Sequence, residues 1–104
     1  MPLSPLKIKT NVVKRIYKEH LGYLKEAETQ QKRIDKLIAE GADEADVRKQ
    51  KEVLAETQQM IPDVKKRLAN AYQDLQNQLE NFENAAVDEI QEAQTVISQI
   101  SIIE

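Results

Sequence analysis

His20 is the only histidine in the chain, and there is no cysteine. A metal site needs several ligands at set spacing, and a nucleophile needs a base within reach. Neither pattern is present. No Gly-rich phosphate loop and no zinc spacing occur either. The residues therefore point away from an enzyme, and no cofactor or metal is expected. His20 falls among apolar positions of helical spacing, which predicts a packed histidine rather than a ligand. The other charged feature is a basic run, Lys7, Lys9, Lys14, Arg15 and Lys18, with no acidic residue before Glu19. Two readings compete for it. The run packs beside an acidic segment of the same chain, or it steers an acidic partner. Residues 1–40 hold nine Lys/Arg against five Asp/Glu, and residues 81–104 hold none against five. That asymmetry favours the first reading. Nucleic acid is disfavoured: only Tyr17 stands near the run, and the net charge is −3. Tyr17, Tyr23 and Tyr72 read as half-buried edges of a helical core.

The elements that position these groups follow from composition and period. The 104 residues are 32% charged and 4% aromatic, with two Gly and three Pro. That is the composition of solvated helices, at the size of one small domain. No apolar run is long enough for a membrane span, and the N-terminus shows no apolar signal core. Ser4-Pro5 starts a helix, a Ser N-cap followed by Pro at the first helical position. An apolar spacing of three and four then runs through Leu6, Val13, Ile16, Tyr23, Ala27, Ile34 and Leu37, with His20 and Gln30 on the same seam. Gly22 lies inside this helix and costs about 1 kcal/mol relative to Ala. Gly41 is the expected left-handed cap.

Asp43 caps a second helix, with Asp46 in its first turn. Every seventh residue from Val47 is apolar: Val47, Leu54, Ile61, Leu68, Leu75, Phe82. Gln58, Tyr72 and Leu79 mark a weaker second seam. The heptad crosses Pro62 without a change of phase, and two helices joined by a loop would have no reason to keep one frame. The spacing therefore predicts one long helix kinked at Gln58–Pro62. Asn84 is the expected cap of a third helix carrying Ala86, Ile90, Ala93, Ile97 and Ile100. The expected fold is all-α: an elongated antiparallel three-helix bundle with left-handed, coiled-coil-like packing. It forms a single domain over residues 1–104, with helices at about 5–40, 44–81 and 85–101. Pro62, Gly41, Leu54, Ile61, Leu68 and Leu75 are its expected architectural residues.

The stretches IKTNVVKRIYKE (8–19), YLKEAETQQKRI (23–34), DVRKQKEVLAET (46–57) and MIPDVKKRLANAYQDLQNQLE (60–80) resemble the tubulin-binding cofactor A family. Met60-Ile61-Pro62-Asp63, then Arg67-Leu68 and Ala71-Tyr72, are the most specific part. The resemblance covers about residues 6–82. Gln59 and Val64 stand where the family usually has Met and often Cys. The resemblance implies a three-helix tubulin chaperone with a proline-kinked middle helix. Such a protein would hold near-native β-tubulin released from the chaperonin and pass it to later folding cofactors for assembly of the αβ heterodimer. It would act in the cytoplasm, associated with the microtubule cytoskeleton, as monomer or homodimer, without a membrane and without nucleic acid. Lys9, Lys14, Arg15, Tyr17, Lys18 and Arg67 are the expected partner-facing residues. The alternative is a generic three-helix module of the spectrin or syntaxin N-terminal kind, although the core Trp usual in spectrin repeats is absent.

Overall fold

The structure is a computed structural model and describes residues 3–81 and 85–101. Three helices make up the architecture: α1 (Pro5–Ala39), α2 (Glu44–Glu80) and α3 (Val87–Ser101). No strand occurs among the described residues. The fold is all-α with three helices, as the periodicity predicts.

Each start and stop has a local cause. Ser4 Oγ accepts the Lys7 N–H at 3.1 Å, and the Ser4 carbonyl accepts the Ile8 N–H at 3.0 Å. Two backbone donors that a helix start leaves open are thereby satisfied. At the other end Gly41 adopts φ 72°. Its N–H donates to the Ile38 carbonyl at 3.1 Å, while the Ala42 N–H reaches back to Leu37 at 3.0 Å. This is the double closure of a left-handed cap, which glycine enters without a Cβ penalty. Asp43 then starts α2: its carbonyl accepts the Val47 N–H, and Glu44 and Asp46 place acid in the first turn. The chain between α1 and α2 is thus a short turn rather than a linker.

The third helix begins at Val87, two residues after the start expected from sequence. Ala86 supplies the first accepting carbonyl, and its own N–H donates to Glu89 Oε1 at 3.1 Å. That is the acidic half of a capping box. Ala86 is exposed ahead of the helix and not on its core face. Asn84, the expected cap, and Phe82, the last heptad residue, lie outside the described residues.

α2 runs through Pro62 without interruption. Along it Leu54, Leu68 and Leu75 are buried, while Val47 and Ile61 are half-buried. The second seam differs from the sequence reading. Thr57, Val64 and Ala71 are buried, whereas Gln58 is exposed and Tyr72 and Leu79 are only half-buried. Positions three and four residues beyond a core residue flank it on opposite sides, and the neighbouring helices select the earlier one. Thr57 is acceptable there because its Oγ1 donates to the Val53 carbonyl at 3.3 Å. Thr10, fully buried on α1, does the same toward Leu6 at 2.8 Å. Each hydroxyl is satisfied within its own helix, so the methyl faces the core as a valine would.

The chain clusters into two compact units, Met1–Lys18 with Lys66–Glu104, and Glu19–Lys65. The first is a three-helix bundle whose buried residues include Leu6, Val13, Ile16, Leu68, Leu75, Ala93, Val96 and Ile100. The second is a two-helix hairpin around the Gly41 turn, with Ile34, Leu54, Val64 and His20 buried.

Candidate functional site

All six residues expected to face a partner belong to the three-helix unit, but they do not form one patch. Arg15 and Lys18 are exposed on α1, and neither has an ion-pair partner within 4.0 Å among the described residues. Lys14 is exposed but committed. Its Nζ donates to Glu92 Oε1 of α3 at 3.0 Å, while Lys7 Nζ donates to Glu92 Oε2. Lys9 and Tyr17 are half-buried, and Arg67 is exposed on α2. The first reading of the basic run therefore holds in part: Lys7 and Lys14 tie α1 to the acidic third helix, while Arg15 and Lys18 are exposed.

Glu92 is the residue that sequence reading missed. Its signal was present, as an acid immediately before Ala93 and one helical turn from Val96, but only the packing shows which cations it meets. Hydrogen bonds from Lys7 and then Lys14 hold its carboxyl below the usual value, outweighing the opposing effect of partial burial. The linkage has a definite sign. A depressed carboxyl pKa adds stability above pH 4.5 that is lost as pH falls through the folded value. The group is partly exposed and screened. We expect Glu92→Gln to cost about 1 kcal/mol in urea unfolding, with the loss shrinking at high salt.

His20 is buried on α1 within the hairpin unit, at 2% exposure, and its Nδ1 has no hydrogen-bond partner. Burial, and secondarily the charge of Lys65, lower its pKa below 6.5. The packed reading describes it. Among the described residues no cluster of three or more His, Cys, Asp or Glu could bind a metal. A charged imidazole is disfavoured in the fold, so stability is complete above about pH 6.5 and declines below it until the folded pKa is reached. Urea midpoints should fall between pH 7.5 and 5.5, by at most about 1.4 kcal/mol per pH unit. His20→Leu should flatten that slope. Glu92 acts at lower pH, so the two contributions separate.

The described surface carries open depressions. A notch of about 150 Å³ lies between α1 and α2 at Ile8, Lys9, Val12, Ala71 and Asp74. No described helix is long and apolar enough to cross a membrane. What this arrangement offers a partner is helix faces carrying charge and scattered apolar side chains. Ile8, Leu21, Leu24 and Met60 are among the exposed ones.

The family model for tubulin binding cofactor A matches residues 1–97. Human tubulin-specific chaperone A is 44% identical over 98 residues, covering 93% of this chain and 91% of the relative. The crystal structure of tubulin folding cofactor A from Arabidopsis thaliana superposes with a TM-score of 0.86 at 37% identity, over 93% of this chain and 92% of that one. RBL2P, described as a β-tubulin binding post-chaperonin cofactor, gives 0.84 at 26% identity, over 94% and 95%. Sequence, helix order and three-dimensional structure agree over nearly the whole length, and the chain belongs to the tubulin binding cofactor A family, whose members are tubulin chaperones.

Proposed function

We propose that this protein captures the β-tubulin monomer after its release from the chaperonin, holds it in a near-native form, and passes it on for αβ heterodimer assembly in the cytoplasm. The observation that carries this reading is the match of residues 1–97 to a family of tubulin chaperones, supported by the structural likeness at 26% identity to RBL2P, a β-tubulin binding post-chaperonin cofactor. The physical case supports it. A subunit separated from its partner exposes a surface that must be covered and later released. Helix faces rich in charge, with single apolar anchors, suit moderate affinity and exchange. No covalent step is needed.

Within this proposal Arg15 and Lys18 are the steering residues, and Lys9, Tyr17 and Arg67 are further candidate contacts on the same unit. Lys14 is a poor probe because reversing it also breaks its bond to Glu92. The test is retention of purified tubulin on the immobilised protein, with α- and β-tubulin measured separately. Retention of β-tubulin without equal α-tubulin is expected. Arg15→Glu combined with Lys18→Glu should weaken capture about tenfold at low salt and flatten its salt dependence. Unchanged capture by that variant would remove these residues from the interface. Failure of the unmodified protein to retain β-tubulin would overturn the function itself.

A further inference from the structure

Gly22 sits inside the 35-residue α1, where glycine weakens a helix through backbone entropy. The fold gives no internal reason for it. Its φ is not positive, unlike that of Gly41, and a Cβ built there would meet nothing within 4 Å. No neighbouring group approaches closely enough to exclude a Cβ. What Gly22 does border is an open groove of about 410 Å³ along α1, lined also by Lys25, Glu26, Thr29, Gln30 and Arg33. All six residues belong to the Glu19–Lys65 unit.

Two further observations concern the same groove. Gln30 is nine-tenths buried; its Nε2 donates to Glu26 Oε1 at 3.3 Å, and its Oε1 has no donor. Glu26, the one carboxylate of the lining, is thereby engaged by an amide and does not oppose an acidic ligand as a free charge. Lys25 and Arg33 are exposed, and neither has an ion-pair partner within 4.0 Å among the described residues. By contrast, Lys32 and Lys36 on the same helix are paired with Glu28 and Glu40.

The spacing of the two unpaired cations selects a ligand shape. Eight residues of α-helix separate their Cα atoms by about 12 Å along the axis. In an extended peptide, side chains i and i+4 lie on one face about 13 Å apart. We propose that this face of α1 is a docking groove for an extended acidic peptide segment of a partner protein. Two of its carboxylates meet Lys25 and Arg33, and its backbone lies against the bare helix at Gly22. A side chain at position 22 would stand in the path of that backbone. The inference does not depend on the partner being β-tubulin, and it concerns a different unit from Arg15 and Lys18.

The test is fluorescence anisotropy with a labelled decapeptide of alternating Glu and Ser, which places carboxylates on one face of a strand. Three variants decide it. Gly22→Gln places a side chain in the groove, and its Cβ meets nothing within 4 Å. Lys25→Gln with Arg33→Gln removes the unpaired cations. Lys32→Gln with Lys36→Gln makes the same change in net charge outside the groove. Circular dichroism and thermal melting check the fold, and Gly22→Gln should raise the melting temperature because glutamine is the better helix former. The first two variants should each weaken peptide binding about tenfold or more, and the third by no more than about twofold. The proposal is overturned if the unmodified protein does not bind the peptide up to about 1 mM. It is equally overturned if the charge control weakens binding as much as the groove pair, since the attraction would then be diffuse. Unchanged binding by a folded Gly22→Gln variant also overturns it. None of these results bears on capture of β-tubulin, which is read separately.

Discussion

Replacing Pro62 by alanine raises the stability of the protein by about 1–3 kcal/mol. Proline inside α2 lacks the N–H that would donate to the Gln58 carbonyl, and its ring crowds that carbonyl. Both costs vanish with alanine, the best helix former. Pro62 and Gln58 are exposed, so the freed carbonyl is partly compensated by water and the gain falls short of the full helix-interior penalty. No core contact is removed with the ring. Urea unfolding of the two forms measures the difference directly. A loss of stability instead would mean that the half-buried Ile61 and the buried Val64 pack well only on a backbone adjusted to the proline. The same variant bears on function. If the local backbone set by Pro62 shapes the tubulin-binding face, Pro62→Ala binds β-tubulin more weakly despite its greater stability. Equal binding would make the proline incidental to capture.

Leu75→Ala has the opposite sign and the largest magnitude. Leu75 is completely buried in the three-helix unit, which otherwise relies on residues such as Val13, Leu68, Ala93 and Val96. Removing its side chain forfeits the transfer energy and leaves a cavity that packed helices cannot fully close. The expected loss is about 2–5 kcal/mol. A small protein has only about 5–15 kcal/mol in total, so the unfolding midpoint should drop steeply. Ile61→Ala, at a half-buried heptad position, should cost clearly less. Equal losses at 61 and 75 would contradict the graded burial along the stripe. Loss of α3 helicity before the rest of the chain would show that α3 depends on this contact layer.

Much of the architecture was legible before any coordinates. Caps are local chemistry, so Ser4, Gly41 and Asp43 could be read as boundaries from their neighbours alone. The unbroken phase of Leu54, Ile61 and Leu68 showed that α2 passes through Pro62, because only a continuous helix keeps a seven-residue frame. Asn84 was a plausible cap by residue type. Ala86 takes that place because the Glu89 side chain reaches its N–H, and a carboxylate three residues downstream can outweigh a better cap residue elsewhere.

Composition, heptad period and capping residues thus determined, by themselves, that this chain is three helices with these turns. The short specific stretches around Met60–Tyr72 carried the family. The tertiary structure decided what depends on a neighbour. Three-four spacing leaves two flanks open beside every core residue, and only packing chose Thr57, Val64 and Ala71 over Gln58, Tyr72 and Leu79. Charge counts anticipated attraction between the basic first segment and the acidic last one, yet only the approach of α3 divided the run, committing Lys7 and Lys14 to Glu92 and leaving Arg15 and Lys18 outward. Gly22 was visible as a cost in the sequence. That its cost is unrelieved inside the fold, beside an unsatisfied Gln30 and two unpaired cations, follows from distances between groups, which a sequence does not contain.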